Sequence, residues 1–256
     1  VFDTPLDEGA ILTPDDQPVV GSVEHDDMAA KRTVYMSLVG GLLWLANMTY
    51  PELMYPAGQL ARFLTNPGEA HFSAVVRVLL YLRGVAEQPL IFAPDASRGM
   101  ETFVDSSWAV KFSCSGGLIF YHGCLVAWFS KMQRSVSLSS AEAEYFGAMM
   151  AAREIMFHTD LAVEFGLDIA LPVVMYSDSK SAVEMAFDPV AFKKTKHILR
   201  AAEFLRDLTH RGLILPTHLS GTVMIADLLT KPPARSVFLA LMKLLRGYAH
   251  KGIACP

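Results

Sequence analysis

Apolar residues recur at three- and four-residue spacing from residue 35 to about residue 83, and this periodicity predicts helices. Leu38, Leu42, Leu45 and Ala46 define the first, and Pro51 interrupts it. Leu60, Phe63 and Leu64 close a second before Asn66-Pro67-Gly68. Phe72, Val75, Val76, Val78, Leu79 and Leu82 line a third over residues 69–82. Residues 84–99 form a connector with Pro89, Pro94 and Gly99, and beyond it the pattern changes to short strand-like runs. Thr102-Phe103-Val104 leads into Asp105. Residues 117–121 and 125–129 flank His122-Gly123, which reads as a hairpin turn. Ser139, followed three residues later by Glu142, is a capping box in which each side chain satisfies an orphan backbone N–H. The helix it opens carries Tyr145, Phe146, Met149, Met150, Ile155 and Met156 and runs to about Phe165, with Gly166 as its C-cap. A buried strand over residues 173–176 ends at Asp178, and short helices follow over 179–187 and 195–210. A strand at 213–215 leads to His218. Residues 222–230 read as a helix carrying Asp227, and an amphipathic helix spans 236–245. The order β-β-β-α-β-α-α-β-α-α predicts an α/β fold, a mixed sheet with helices on its faces, preceded by a small all-α unit.

The first 30 residues depart from this pattern. They contain Pro5, Pro14, Pro18, Gly9 and Gly21 without sustained periodicity, and they read as an acidic extended tail. They hold eight of the 26 acids and none of the 22 basic residues, so the remainder is mildly basic, at +4, although the whole chain is −4. The boundaries that result are a tail over 1–30, a helical region over 31–98, a sheet-bearing domain over 99–232 and a C-terminal helix and tail over 233–256.

With 52% apolar and 19% charged residues, the chain can bury a core. No run approaches the roughly 20 apolar residues of a membrane span; residues 38–48 read as a buried helix instead. The N-terminus shows no signal peptide and no initiator Met, which points to a processed product or a fragment. Cys114, Cys124 and Cys255 show no C-x-x-C spacing and imply reduced thiols in an intracellular setting, cytoplasmic or nuclear, without excluding an organelle. Cys114 and Cys124 read as small packed residues, with pairing across a hairpin as the alternative. Trp108 and Trp128 read as core residues.

Four acids stand out. Asp105 and Asp178 end apolar strand-like runs, where burial without a ligand is expensive. Glu144 lies in the first turn of a helix, and Asp227 lies in a short apolar helix. Four carboxylates on four separate elements suggest a metal site. Two-metal phosphoryl chemistry needs such convergence, and Mg²⁺ prefers oxygen ligands.

Seven segments then resemble the C-terminal part of copia-type retrotransposon polyproteins, in the same order and at similar spacing. They are Tyr35-Met-Ser-Leu-Val-Gly-Gly-Leu-Leu-Trp-Leu-Ala-Asn47, Gly58-Gln-Leu-Ala-Arg-Phe-Leu64, Val78-Leu-Leu-Tyr-Leu-Arg-Gly84, Leu138-Ser-Ser-Ala-Glu-Ala-Glu-Tyr145, Tyr176-Ser-Asp-Ser-Lys-Ser-Ala182, Thr195-Lys-His-Ile198 and Ile225-Ala-Asp-Leu-Leu-Thr-Lys-Pro232. The resemblance implies a thumb or connection region followed by a ribonuclease H-like domain. No segment matches the polymerase palm. It implies that Asp105, Glu144, Asp178 and Asp227 form a tetrad holding two Mg²⁺ ions, with Mn²⁺ as a substitute. It also implies hydrolysis of the RNA strand of RNA–DNA hybrids, with the reverse transcriptase palm and fingers upstream in a polyprotein. His218, nine residues before Asp227, resembles the mobile histidine of ribonucleases H and would relay a proton. Lys180, Lys196 and His197 fall in matching motifs and would contact backbone phosphate. Ser107 stands where the family commonly has a second Asp. The loop over residues 108–116 is shorter and more apolar than usual, and Ala201-Ala202-Glu203 replaces a more polar run. These departures bear on the grip on the hybrid more than on metal binding. With the low basic charge, they leave open a second reading: a domesticated, catalytically silent fold that serves protein partners in a larger assembly.

Overall fold

The computed structural model describes residues 2–109, 113–134, 136–187 and 196–251; the side chains of residues 196–201 and 248–251 lie outside that description. The chain divides into two compact units, one formed by residues 1–90 and 231–240 and the other by 91–230 and 241–256.

The first unit is helical. Helix α1 spans Val23–Met48, α2 spans Met54–Ala61 and α3 spans Glu69–Val85. Tyr35, Val39, Leu42 and Ala46 form the buried stripe of α1, whereas Trp44 and Met48 on the same helix are exposed. The stretch read as a buried helix is therefore buried on one face only. The first 30 residues are not extended throughout. Ser22 caps α1 by accepting the His25 N–H, so the helix starts at Val23. Leu6 is buried, and the Asp7 carboxylate lies 2.8 Å from Arg77. Anchored side chains and an N-cap outweigh the Pro- and Gly-rich composition.

The second unit is built on a five-stranded sheet in the order β3-β2-β1-β4-β5. Its strands are β1 (Met100–Ser107), β2 (Cys114–Tyr121), β3 (Cys124–Met132), β4 (Val173–Ser177) and β5 (Ile214–His218). The first three form an antiparallel meander, and β4 and β5 add in parallel to β1. The β2–β3 turn places His122 and Gly123 at φ of 51° and 76°, the conformation of a tight hairpin turn. Helix α4 (Ser140–Glu164) ends at Gly166, φ 72°. There the Gly166 N–H donates to Val163 O and the Leu167 N–H to Ala162 O, a Schellman cap. Helices α5 (Lys180–Phe187) and α6 (Lys196–His210) follow β4, and α7 spans Arg235–Lys251. The region read as a helix over 222–230 is instead two short 3-10 turns, Gly221–Val223 and Ile225–Leu229.

The sheet is covered by α4 at unusually close range. A Cβ on Gly147 would lie 2.1 Å from Ser106 Oγ. The buried face of α4 is lined by Ala143, Ala148, Ala151, Ala152 and Ile155, with Tyr145 fully buried. Phe146, Met149, Met150 and Met156 flank this face, half-buried. On the other face of β1, Phe103 stacks on Tyr176 and meets Phe120 edge-on. Trp108 is exposed, not core; its Nε1–H donates to Ser137 O at 2.9 Å, which holds the indole at the surface. Trp128 is half-buried. Cys114 and Cys124 are both buried and free, and they are not opposed in the hairpin register. Among the described residues no helix is long and apolar enough to cross a membrane.

Candidate metal centre

Three of the four acids converge. Ligand oxygens of Asp105, Glu144 and Asp178 all lie within 4.8 Å of one another. Each comes from a different element, and local geometry explains each approach. Asp105 lies on the central strand, 2% exposed, opposite Gly116 of β2. Phe103 pairs with Tyr176 in the parallel ladder, and continuing that register by two residues brings Asp178 level with Asp105. Asp178 thus leaves the carboxyl end of β4, where ligands of open α/β sheets commonly bind. Glu144 stands three residues before Gly147, whose missing side chain lets α4 descend onto β1.

A buried polar network holds the entrance of α4 against the sheet. Ser106 and Ser115 hydroxyls lie 2.9 Å apart, and Gln133 Nε2 donates to Ser115 Oγ and to Ala143 O, both at 2.8 Å. Ser137 Oγ donates to Gln133 Oε1 at 2.7 Å. Ser139 caps the helix, accepting the Glu142 N–H at 3.2 Å. Glu142 reaches back, but to the Leu138 N–H at 2.8 Å rather than to that of Ser139. The reciprocal bond of the capping box therefore falls one residue earlier, and Glu142 is spent on the backbone while Glu144 joins the acids.

Asp227 is not in the group within 4.8 Å. It lies on the 3-10 turn Ile225–Leu229, half-buried. The exit of that turn packs on the sheet at Gly116, where an added Cβ would meet Leu229 Cβ at 2.6 Å and Thr230 Cγ2 at 2.9 Å. Leu229 O accepts from Ser130 Oγ at 2.6 Å, and Thr230 O accepts from Ser107 Oγ at 2.9 Å. The Thr230 hydroxyl donates to Asp105 Oδ2. Burial pushes the Cys114 thiol, which faces Leu229 O and Ser130, up to about 11, and the Tyr145 phenol up to about 12.

His218 ends β5, exposed, and pairs with Ser177, the residue before Asp178. Lys180 is exposed at the first position of α5. Gly221 lies against Asp178, its absent Cβ 3.2 Å from Oδ2. The side chains of Lys196 and His197, at the start of α6, and residues Thr195 and Cys255 lie outside the described residues. The roles of Thr230, Ser106, Ser115 and Gln133 carry no signal in sequence spacing, because each acts across many residues of chain.

No protein-family model matches the chain. The Retrovirus-related Pol polyprotein from transposon RE2 of Arabidopsis thaliana is 30% identical over 210 residues, 80% of this chain and 14% of that polyprotein. The corresponding polyprotein from transposon TNT 1-94 of Nicotiana tabacum is 31% identical over 221 residues, 85% of this chain and 16% of that polyprotein. Among solved structures, LC11-RNase H1 in complex with RNA/DNA hybrid aligns with 51% of this chain and 93% of its own, at 14% identity and a TM-score of 0.41. The sheet order and the parallel addition of β4 and β5 to an antiparallel meander make the second unit ribonuclease H-like. The chain belongs to the copia-type retrotransposon Pol polyproteins, of which it spans roughly a seventh in length.

Proposed function

We propose that this chain hydrolyses the RNA strand of RNA–DNA hybrids at the acidic cluster, with two Mg²⁺ ions that Mn²⁺ can replace. The observation that carries this reading is the meeting of Asp105, Glu144 and Asp178 oxygens within 4.8 Å. Carboxylates so close repel one another, by about 1 kcal/mol per pair in water and several-fold more near protein. A divalent cation offsets that repulsion, and the all-oxygen donor set suits Mg²⁺. When bound, a metal pair supplies an activated water and stabilises the departing 3′ oxygen in line.

The chain's own residues do the rest. Asp105, Glu144 and Asp178 hold the cations, with Asp227 as the fourth ligand from the 3-10 turn. His218, exposed beside Asp178, moves a proton to or from solvent at its imidazole nitrogen. The bare Gly221 leaves room for a sugar–phosphate backbone next to Asp178. Lys180, Lys196 and His197 contact backbone phosphates, and 2′-hydroxyl contacts select the RNA strand.

The test is cleavage of a labelled RNA–DNA hybrid by the full chain in Mg²⁺ and Mn²⁺. Wild type is expected to cut the RNA strand, and Asp105→Asn or Asp178→Asn to abolish cutting. Equal cutting by wild type and variants, or an inert wild type in both metals, overturns the reading.

A further inference from the structure

We infer that Thr230 is a positioning residue for Asp105, and that with Ser107 and Ser130 it forms a latch that docks the end of the Asp227-bearing turn onto the strand carrying the first acid. The inference rests on reading the acidic cluster as a metal site. Thr230 is 1% exposed, and its hydroxyl donates to Asp105 Oδ2. That single proton has a second acceptor within reach, Asp227 O at 3.3 Å. A carboxylate outcompetes a neutral carbonyl for it, because charge-assisted hydrogen bonds are the stronger kind. The Thr230 N–H donates to Asp227 O at 3.2 Å, so one residue touches the side chain of one acid and the backbone of another.

The latch is tied down from beneath. Ser107, two residues after Asp105 on β1, donates to Thr230 O, and Ser130 on β3 donates to Leu229 O. Gly116, directly opposite Asp105, is bare where Leu229 and Thr230 settle. The Ser107 hydroxyl has a proton to give the Thr230 carbonyl, which an ionised carboxylate at that position would lack. Thr230 therefore fixes the Asp105 carboxylate on its strand and sets where the Asp227 turn ends. Hydrogen-bond partners of this kind orient metal ligands and tune affinity.

Two measurements on the full chain test this. The first is a double-mutant cycle of Thr230→Val and Asp105→Ala by denaturant unfolding without added metal. The expected coupling is on the order of tenfold in the unfolding constant, as for a hydrogen bond to a charged group. The second is Mn²⁺ binding followed by loss of the free-ion electron paramagnetic resonance signal. Thr230→Val should weaken Mn²⁺ binding by about tenfold, Thr230→Ser should restore it, and Ser107→Ala should weaken it with the threonine hydroxyl still present. Should Thr230→Val not fold, Thr230→Ala with Asp105→Ala removes the same hydroxyl and provides the same cycle. Zero coupling, or wild-type Mn²⁺ affinity in folded Thr230→Val and Ser107→Ala, overturns the latch. A wild type that binds no Mn²⁺ but shows the coupling overturns the metal reading and leaves the hydrogen-bond latch standing.

Discussion

At the scale of single residues, two glutamates two residues apart sit in different surroundings. Glu142 is buried and accepts the Leu138 N–H at the mouth of α4, where a negative charge also favours the helix dipole. Glu144 faces Asp105 and Asp178. Glu142→Gln is expected to cost about 1 kcal/mol of stability and to leave Mn²⁺ affinity unchanged. Glu144→Gln relieves repulsion among the acids, so without metal it should hold or raise the unfolding midpoint, and it should weaken Mn²⁺ binding. Thermal unfolding and metal titration of both variants distinguish them, and a reversed pattern would refute the division of roles. This division was legible in the sequence because a cap has a fixed spacing from its helix. The Thr230–Asp105 contact was not, because it joins residues 125 apart through the fold. Trp108 was misread for a related reason. Its apolar neighbours suggest burial, but the Ser137 carbonyl captures its N–H while the ring itself stays exposed.

At the scale of elements, helix-to-sheet distance decides whether the acids meet. Helical periodicity and short apolar runs bounded by turn residues were enough to order the five strands and the helices between them along the chain. They did not reveal how closely α4 approaches β1. That depends on Gly147, lodged against a Ser106 hydroxyl already engaged with Ser115. Alanine is the better helix former by about 1 kcal/mol, so propensity alone predicts that Gly147→Ala stabilises. Overlap at 2.1 Å predicts the opposite, a net loss of about 1–3 kcal/mol from overpacking. Gly40 of α1 is the control, since it is exposed and nothing lies within 4 Å of its Cβ position. Gly40→Ala should therefore stabilise. Denaturant unfolding of the two variants checks both signs; stabilisation by Gly147→Ala would remove the close-approach account of Glu144.

At the scale of the whole molecule, the chain divides into two compact units, and acid should act on the helical one through His71. His71 is fully buried and stacked on Phe63 with ring centroids 3.9 Å apart. Its Nδ1 accepts the Gly68 N–H that opens α3, so the neutral ring carries its proton on the buried Nε2. Protonating Nδ1 would break the Gly68 bond and bury a charge. Burial accordingly lowers the His71 pKa below its ordinary 6.5, with the Asp16 carboxylate and a hydrogen bond to the Thr13 backbone opposing in part. The sign follows from linkage: below pH 6.5 the unfolded chain takes up a proton that the folded chain refuses, so stability present above that pH is lost as the pH falls. The slope can reach about 1.4 kcal/mol per pH unit for one proton. His71→Gln keeps an acceptor for Gly68 and removes the titration. Unfolding free energies measured about one pH unit above and below the ordinary value, at roughly pH 7.5 and 5.5, should fall further for wild type than for His71→Gln. Parallel losses in the two proteins would assign the acid sensitivity to other groups and leave His71 a neutral filler of the helical core.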